Sequence, residues 1–146
     1  MSIVLVTGAN SGIGYALTRR FAVRGDTVIM VCRDAARGKA AYDEIARVAT
    51  GSAPALCICD LASGAAIRGL AVELRRRFDR IDVLINNAGA AFTQRALTAD
   101  GIERTFAVNH LAPFLLTTLV LDLLREAPAA RVVAVGADAY PSSLDF

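Results

Sequence analysis

The apolar residues of the chain fall into five short runs separated by amphipathic stretches, and this alternation limits the possible folds. The runs cover residues 3–6, 27–32, 55–59, 81–85 and 131–135, and each is a candidate strand. Strands that are apolar on both faces and separated by helices are typical of a parallel sheet with helices on both sides. Because such crossovers are right-handed, the pattern predicts an α/β, Rossmann-like doubly wound sheet with strand order 3-2-1-4-5, truncated after the fifth strand.

Helical signals occupy the stretches between these runs. Ile13, Leu17 and Phe21 recur every four residues, which predicts one face of a first helix. The other predicted helices cover residues 35–48, begin at Ser63, and run as one long helix from Ile102 to Leu124. The chain has 146 residues, the size of one ordinary domain, so residues 1–146 are expected to form a single unit.

The composition excludes several classes of protein. Hydrophobic residues make up 55% of the chain and charged residues 21%, which is typical of a globular protein, and the net charge of +2 gives no basis for binding nucleic acid. The longest apolar stretch, residues 111–124, contains Pro113 and Asp122 and is too short to cross a bilayer. No secretory signal precedes the first run. We therefore expect a cytoplasmic protein that binds neither nucleic acid nor a membrane.

The three cysteines, Cys32, Cys57 and Cys59, also bear on the compartment. An odd number of cysteines in such a chain favours reduced thiols and a cytoplasmic setting. Cys57 and Cys59 are two residues apart in a strand, so they are predicted to point to the same face as small buried side chains. The only histidine, His110, is distant in sequence, and no metal site is predicted.

A glycine-rich turn, residues 7–14, lies between the first strand and the first helix. A phosphate-binding turn needs backbone amides directed at the anion and no side chains in the way, and a helix N-terminus adds positive potential. We predict that Gly8 permits a tight turn, Gly12 lets the backbone approach a pyrophosphate, and Gly14 allows close helix–strand packing. The candidate cofactor-binding residues of this turn are Gly8, Asn10, Ser11, Gly12, Ile13 and Gly14.

The spacing Gly-x-x-x-Gly-x-Gly, preceded by Thr7, resembles the signature of the short-chain dehydrogenase/reductase family. Further segments agree in order and spacing, and together they resemble most the retinol-dehydrogenase-like branch. These segments are Cys32-Arg33-Asp34, Asp60-Leu61, Asn86-Asn87-Ala88-Gly89 and Val108-Asn109-His110. The resemblance covers essentially the whole chain. It implies the N-terminal, dinucleotide-binding portion of an oxidoreductase that transfers a hydride between a nicotinamide cofactor and an alcohol or carbonyl.

Two strand ends supply further candidate cofactor-binding residues. Asp60, followed by Leu61, is placed where a carboxylate accepts a hydrogen bond from an adenine amino group; its alternative role is to cap the next helix. Asn87, Ala88 and Gly89 put small residues where the backbone passes near the cofactor. In the family this segment also steadies the central sheet, and a purely structural role stays open.

The choice between the two nicotinamide cofactors depends on Arg33. In the family, the NAD-binding version usually has an acidic residue near this point, whereas this chain has Cys32 followed by Arg33. A guanidinium suits a 2′-phosphate through charge-assisted hydrogen bonds. We therefore predict NADP(H) as the preferred cofactor, with NAD(H) possible. The alternative is that Arg33 is an exposed side chain paired with Asp34.

The catalytic residues that the resemblance implies are a Tyr, a Lys four residues later, a Ser and an Asn. Each tyrosine of the chain lacks a lysine four residues later, because those positions hold other residues: Arg19, Ala46 and Leu144. The only lysine, Lys39, lies in the second helix, and the sequence ends before the helix that carries the family pair. Ala137 occupies the expected serine position. Asn109 alone matches, with local backbone bonding as its alternative role, and this chain by itself is expected to be inactive.

The region around the long helix raises the question of partners. The fifth strand is expected to leave an open edge, and apolar side chains of the helix lack a cover, which predicts a homo-oligomer or a complementary chain. These side chains are Phe114, Leu115, Leu119 and Leu123. Two functions remain open: an oxidoreductase represented by an incomplete chain, and a non-catalytic dinucleotide-binding or subunit-interaction module. A degenerate remnant is disfavoured by the well-kept hydrophobic pattern.

Overall fold

A computed structural model describes residues 1–136 of the chain. The five strands are β1 (Ile3–Thr7), β2 (Thr27–Cys32), β3 (Ala55–Ile58), β4 (Val83–Asn86) and β5 (Arg131–Ala134). They pair in parallel in the order β3-β2-β1-β4-β5, which confirms the predicted Rossmann-like topology. The order reverses between β1 and β4, and this is the place where ligands bind in open parallel sheets.

Helices cover both faces of this sheet. They are α1 (Gly12–Arg24), α2 (Ala35–Val48), α3 (Gly64–Arg77), α4 (Arg104–Phe106), a π-helical turn (Ala107–Leu111), α5 (Ala112–Leu119) and α6 (Leu121–Arg125). Alternate side chains of β1 to β4 enter two separate cores. Leu5 and Leu84 pack with α3, α5 and α6, whereas Val6 and Ile85 pack with α1 and α2. Both faces of the central strands are therefore buried, as their unbroken apolar sequence requires.

The predicted long helix is wrong as one continuous element. Glu103 accepts hydrogen bonds from the backbone N–H groups of Thr105 and Phe106 and so begins α4. Ala112 N–H then donates to the carbonyl of Ala107, five residues back, which widens the helix to a π turn. Pro113 follows immediately and has no N–H to donate to the carbonyl four residues back. The π turn therefore occurs where the series of α-helical backbone hydrogen bonds is already interrupted. A second break at Val120 separates α5 from α6.

The predicted face of α1 also needs correction. Ile13 is 62% exposed, and the buried residues of α1 are the small ones, Gly14, Thr18 and Ala22. Leu17 and Phe21 are only half-buried beside them. The four-residue apolar spacing therefore identified residues beside the buried face of α1, not the buried face itself. The helix lies so close to the sheet that only small side chains fit between them.

The three cysteines lie in the cores, which confirms the prediction of burial for Cys57 and Cys59. Cys57 and Cys59 belong to the cluster beneath α3, and Cys32 belongs to the cluster on the opposite face. Burial raises the pKa of Cys57 to about 12 and the pKa of Cys32 and of Cys59 to about 11. Residues 1–136 hold no group of three or more His, Cys, Asp or Glu side chains arranged to bind a metal ion.

These buried thiols are expected to resist chemical modification in the folded protein. A thiolate is the reactive species, and at pH 8 the raised pKa keeps each thiol protonated while packing blocks the reagent. Treatment with Ellman's reagent at pH 8 should therefore release little colour from the native protein and three equivalents after unfolding in guanidinium. Fast reaction of one thiol in the native protein would contradict the burial.

The β5 side of the sheet carries the main uncovered surface. Every residue of β5 is exposed, including Val132 and Val133, which point to opposite faces. Phe114 on α5 is 68% exposed, as predicted, and Leu115 and Leu119 are half-buried. Leu123 was expected to lack a cover, but it is buried: the break before α6 turns it into the core. Among the described helices, none is both long enough and apolar enough to cross a membrane.

Candidate functional site

A cleft at the carboxyl ends of β1 to β4 brings together most of the predicted cofactor-binding residues. Those that line it are Gly8, Asn10, Ser11, Arg33, Asp60, Leu61, Asn87, Ala88 and Gly89. Gly12, Ile13 and Gly14 are adjacent in the turn but outside its lining. The cleft is also lined by residues that sequence reasoning missed, among them Arg37, Ala90 and Phe92.

The glycine turn has the backbone conformation that glycine allows and other residues rarely adopt. Gly8 has φ of 66° and Gly12 has φ of 53°. Nothing lies within 4 Å of the point where a Gly12 side chain would begin, so this backbone faces open space. By contrast, a Cβ on Gly14 would overlap the Gly8 carbonyl oxygen and Asn87 Nδ2, which is the close packing that the sequence predicted.

The N-terminus of α1 is left open where the other long helices are capped. Asp34 caps α2 by accepting from the Arg37 N–H at 2.8 Å, and Ser63 caps α3 by accepting from the Ala66 N–H at 3.2 Å. Ser11 precedes α1 in an extended conformation and makes no side-chain cap. No side-chain cap therefore occupies the backbone N–H groups in the first turn of α1. They can donate hydrogen bonds to an anion, which the positive potential of the helix N-terminus also attracts.

Thr7 joins the two walls of the cleft, and sequence reasoning did not assign it a role. Its hydroxyl oxygen accepts hydrogen bonds from the backbone N–H groups of Asn87 (3.0 Å) and Ala88 (2.9 Å). The same hydroxyl donates toward the carbonyl of Ile85 at 3.4 Å. Because this side chain is only 2% exposed, the links are shielded from water. The only signal in the sequence was the threonine that directly precedes the glycine turn.

Asn87 has the structural role that the sequence left open. Its Nδ2 donates to the carbonyls of Thr7 at 2.9 Å and Gly8 at 3.4 Å, so it fixes the start of the glycine turn against the end of β4. A contact from Asn87, Ala88 or Gly89 to a cofactor stays a prediction. The geometry nonetheless places this segment directly beside the turn that would hold the pyrophosphate.

Asp60 does not cap the helix that follows it. Its Oδ1 accepts from the Ala62 N–H at 3.0 Å, which stabilises a local turn, and the cap of α3 is supplied by Ser63. The alternative role proposed for Asp60 is therefore wrong. The side chain is exposed at the rim of the cleft next to Leu61, where its predicted bond to an adenine amino group remains open.

Two guanidinium groups lie beside the cleft: Arg33 directly follows β2, and Arg37 lies in the first turn of α2. Arg33 and Arg37 are both exposed, and neither forms an ion pair with any carboxylate of residues 1–136. The alternative pairing of Arg33 with Asp34 is absent there, because the Asp34 carboxylate caps α2 instead. Two positive charges without internal partners therefore border one end of the cleft.

Asn109 lies in the π turn and holds the loop after β4. Its Oδ1 accepts from the Ala90 N–H and its Nδ2 donates to the Ala90 carbonyl, both at 2.9 Å. The partner is 19 residues away, so the bonding is not the local kind considered from sequence. A catalytic role for Asn109 stays a prediction. Ala137, on which the prediction of a missing serine depends, lies outside the described residues, as do Tyr140, Ser142 and Ser143.

Comparison with known proteins places the chain among dehydrogenases. It matches the short chain dehydrogenase family over residues 2–141. It is 43% identical to a putative daunorubicin C-13 ketoreductase from Streptomyces sp. (strain C5), over 94% of this chain and 46% of that protein. It is 39% identical to retinol dehydrogenase 12 of Mus musculus, over 94% of this chain and 44% of that protein. The chain thus spans less than half the length of these curated relatives.

Solved structures share the fold. The Pseudomonas aeruginosa RhlG/NADP complex superimposes with a TM-score of 0.80 at 28% identity, covering 93% of this chain and 54% of that one. A short-chain dehydrogenase from Sphingobium yanoikuyae in complex with NADPH gives 0.80 at 33% identity, covering 94% and 54%. The predicted resemblance to retinol dehydrogenases is confirmed by the curated relatives. From its sequence, its strand order and its glycine turn, the chain belongs to the short-chain dehydrogenase family.

Proposed function

We propose that this chain is the NADP(H)-binding part of an oxidoreductase that moves a hydride between the nicotinamide ring and an alcohol or carbonyl. The observation that carries the proposal is the pair of guanidinium groups, Arg33 and Arg37, which border the cleft and form no ion pair with a carboxylate of residues 1–136. A 2′-phosphate is the group that separates NADP(H) from NAD(H), and guanidinium is its best side-chain ligand. The NADP and NADPH complexes of the structural relatives point to the same cofactor.

The residues of the cleft fit such a cofactor. The pyrophosphate would lie against the uncapped first turn of α1, where Gly12 leaves open space above the backbone. Asp60 would accept from the adenine amino group, and Arg33 and Arg37 would bind the 2′-phosphate. When bound, the cofactor supplies or accepts the hydride, and the protein's part is to hold it and set its electrostatic surroundings.

Turnover by this chain alone is not expected. Family members use a tyrosine whose pKa a lysine four residues later lowers, and this sequence has no such pair. Loss of the positioning hydroxyl at position 137 adds a further decrease in rate of roughly two to three orders of magnitude. The competing function, a non-catalytic dinucleotide-binding or subunit-interaction module, predicts the same absence of turnover.

Calorimetry combined with a turnover assay tests the proposal and its alternative. NADPH is titrated into the purified chain in parallel with NADH, and the chain is then assayed with a panel of aldehydes and ketones. We expect NADPH to bind at least roughly 100-fold more tightly than NADH, the combined effect of two charge-assisted bonds, with no consumption of NADPH. Absence of binding by either cofactor contradicts the oxidoreductase and the dinucleotide-binding module alike, whereas measurable reduction contradicts the expected inactivity.

We also propose that the chain self-associates through the face that contains Phe114 and the exposed edge of β5. Large apolar side chains and unpaired strand edges are the surfaces that proteins usually cover. Phe114 is 68% exposed, and Val132 and Val133 of β5 are each about half exposed.

Sedimentation velocity over a range of concentrations tests this association. We expect a species larger than the monomer, which Phe114→Asp shifts back toward the monomer. The matched control is Val23→Asp, which places the same charge at an exposed valine of α1 on the opposite side of the sheet. A monodisperse wild-type monomer at high concentration would argue against the proposed interface.

A cytoplasmic setting is proposed on the chemistry of the cysteines. All three thiols are free and buried, although they would be exposed to oxidation during folding in an oxidising compartment. A reporter fused to the C-terminus, followed by cell fractionation, tests the compartment directly. Recovery of the fusion outside the cytoplasm would contradict the proposal.

A further inference from the structure

Phe92 is the one aromatic side chain among the described residues that line the cleft, and a cation lies against it. The guanidinium carbon of Arg104 is 4.1 Å from the centroid of the Phe92 ring, a cation–π distance. Arg104 itself does not line the cleft. The guanidinium lies over one face of the ring, so that face is already occupied by positive charge.

The polypeptide around this pair is fixed at both ends. Asn109 clamps the backbone of Ala90, two residues before Phe92, through two hydrogen bonds of 2.9 Å. On the other side, the Arg104 N–H donates to the carbonyl of Ala96 at 3.0 Å. Within residues 1–136, Arg104 forms no ion pair that would neutralise its charge. The backbone on both sides of the pair is thus held by hydrogen bonds of the fold.

The order of the strands indicates which end of a dinucleotide would meet Phe92. Arg33 follows β2, and β2 and β3 lie on one side of β1, whereas Phe92 follows β4 on the other side. A cofactor with its 2′-phosphate at Arg33 and its pyrophosphate over the glycine turn extends its nicotinamide half toward β4. This step rests on the proposed function, because it takes NADP(H) as the ligand.

We propose that the Arg104–Phe92 pair makes the cleft favour the uncharged dihydronicotinamide of NADPH over the cationic nicotinamide of NADP⁺. The face of an aromatic ring attracts a cation through its quadrupole, but Arg104 already draws on that electron density from one side. A second cation on the opposite face is repelled by the first across the ring. A neutral ring stacks on the same face without this penalty, so the pair acts as a specificity determinant for the redox state of the cofactor.

Affinities of NADPH and NADP⁺ for the full chain, measured by calorimetry at one ionic strength, test the inference. In wild type we expect NADPH to bind more tightly. Arg104→Gln should shift the ratio of the two dissociation constants toward NADP⁺ by about 3- to 10-fold, the range of a cation–π interaction. Arg104→Lys keeps the cation and should stay near the wild-type ratio. Arg47→Gln removes an equal charge from the far end of α2 and serves as the control.

A double-mutant cycle separates the stacked pair from a plain charge effect. In a Phe92→Leu background, Arg104→Gln should change the ratio less than it does when Phe92 is present. Equal shifts with and without Phe92 would mean that Arg104 acts only as a distant charge, and would overturn the inference. An unchanged ratio in Arg104→Gln would overturn it as well. Failure of wild type to bind either form would instead contradict the proposed function.

Discussion

Replacing Gly14 with alanine is expected to destabilise the domain by about 3 kcal/mol, the upper range for overpacking, and to remove NADPH binding. The added Cβ would overlap the carbonyl oxygen of Gly8 and the Nδ2 of Asn87. Neither atom can withdraw easily, because one belongs to the backbone of the turn and the other is bonded to the Thr7 and Gly8 carbonyls. The start of α1 must therefore move away from the glycine turn, and its backbone N–H groups would no longer be directed at a bound pyrophosphate.

Urea unfolding followed by circular dichroism measures the first effect, and calorimetry with NADPH measures the second. Gly69→Ala is the matched control: Gly69 lies inside α3 with nothing within 4 Å of an added Cβ. There the same substitution should stabilise the protein by about 0.5–1 kcal/mol, because alanine favours the helix. If Gly14→Ala were as stable as wild type, the close contact between α1 and the turn would be disproved.

Removing both Arg33 and Arg37 should abolish the preference for NADPH. Each charge-assisted bond to a phosphate contributes about 1.5–3 kcal/mol, so Arg33→Ala/Arg37→Ala should weaken NADPH binding by roughly 100-fold or more. NADH has no 2′-phosphate, and its affinity should change by less than about threefold. The single variants should fall between these limits.

Arg47→Ala controls for the loss of positive charge, because Arg47 lies in the last turn of the same helix, α2, away from the cleft. It should leave both affinities nearly unchanged. The NADPH affinity of wild type should also fall with added salt more steeply than that of the double variant, since fewer charges remain to be screened. Equal losses of NADPH and NADH affinity in the double variant would show that the arginines stabilise the cleft and do not bind the 2′-phosphate.

Local patterns in the sequence were sufficient to predict the strand order and the glycine turn. Five apolar runs with helical stretches between them leave few topologies once crossovers are right-handed, and the structure has the expected one. The position of Gly14 was readable for a similar reason: a glycine at a fixed distance from a strand end implies a close approach. Arg33 was found because it directly follows β2, where a ribose substituent would lie.

Features that depend on contacts between residues far apart in the chain could not be predicted from the sequence. Thr7 gains its role from the amides of Asn87 and Ala88, about 80 residues away, and a threonine alone gives no sign of them. Arg37 resembles any exposed helical arginine until α2 is placed beside the cleft. The π turn required the combination of Pro113 with packing against the sheet, and apolar periodicity has no means to report a widened turn.

The hydroxyl of Thr7 couples the end of β1 to the end of β4, so the two segments have to be inherited together. Its three hydrogen bonds connect the strand that delivers the glycine turn to the strand that delivers Asn87, although the two are encoded far apart. A chimaera that takes its first 24 residues from one relative and the remainder from another would therefore need a compatible hydroxyl at this position. A chimaera without that hydroxyl should leave the backbone N–H groups of Asn87 and Ala88 without their hydrogen-bond acceptor.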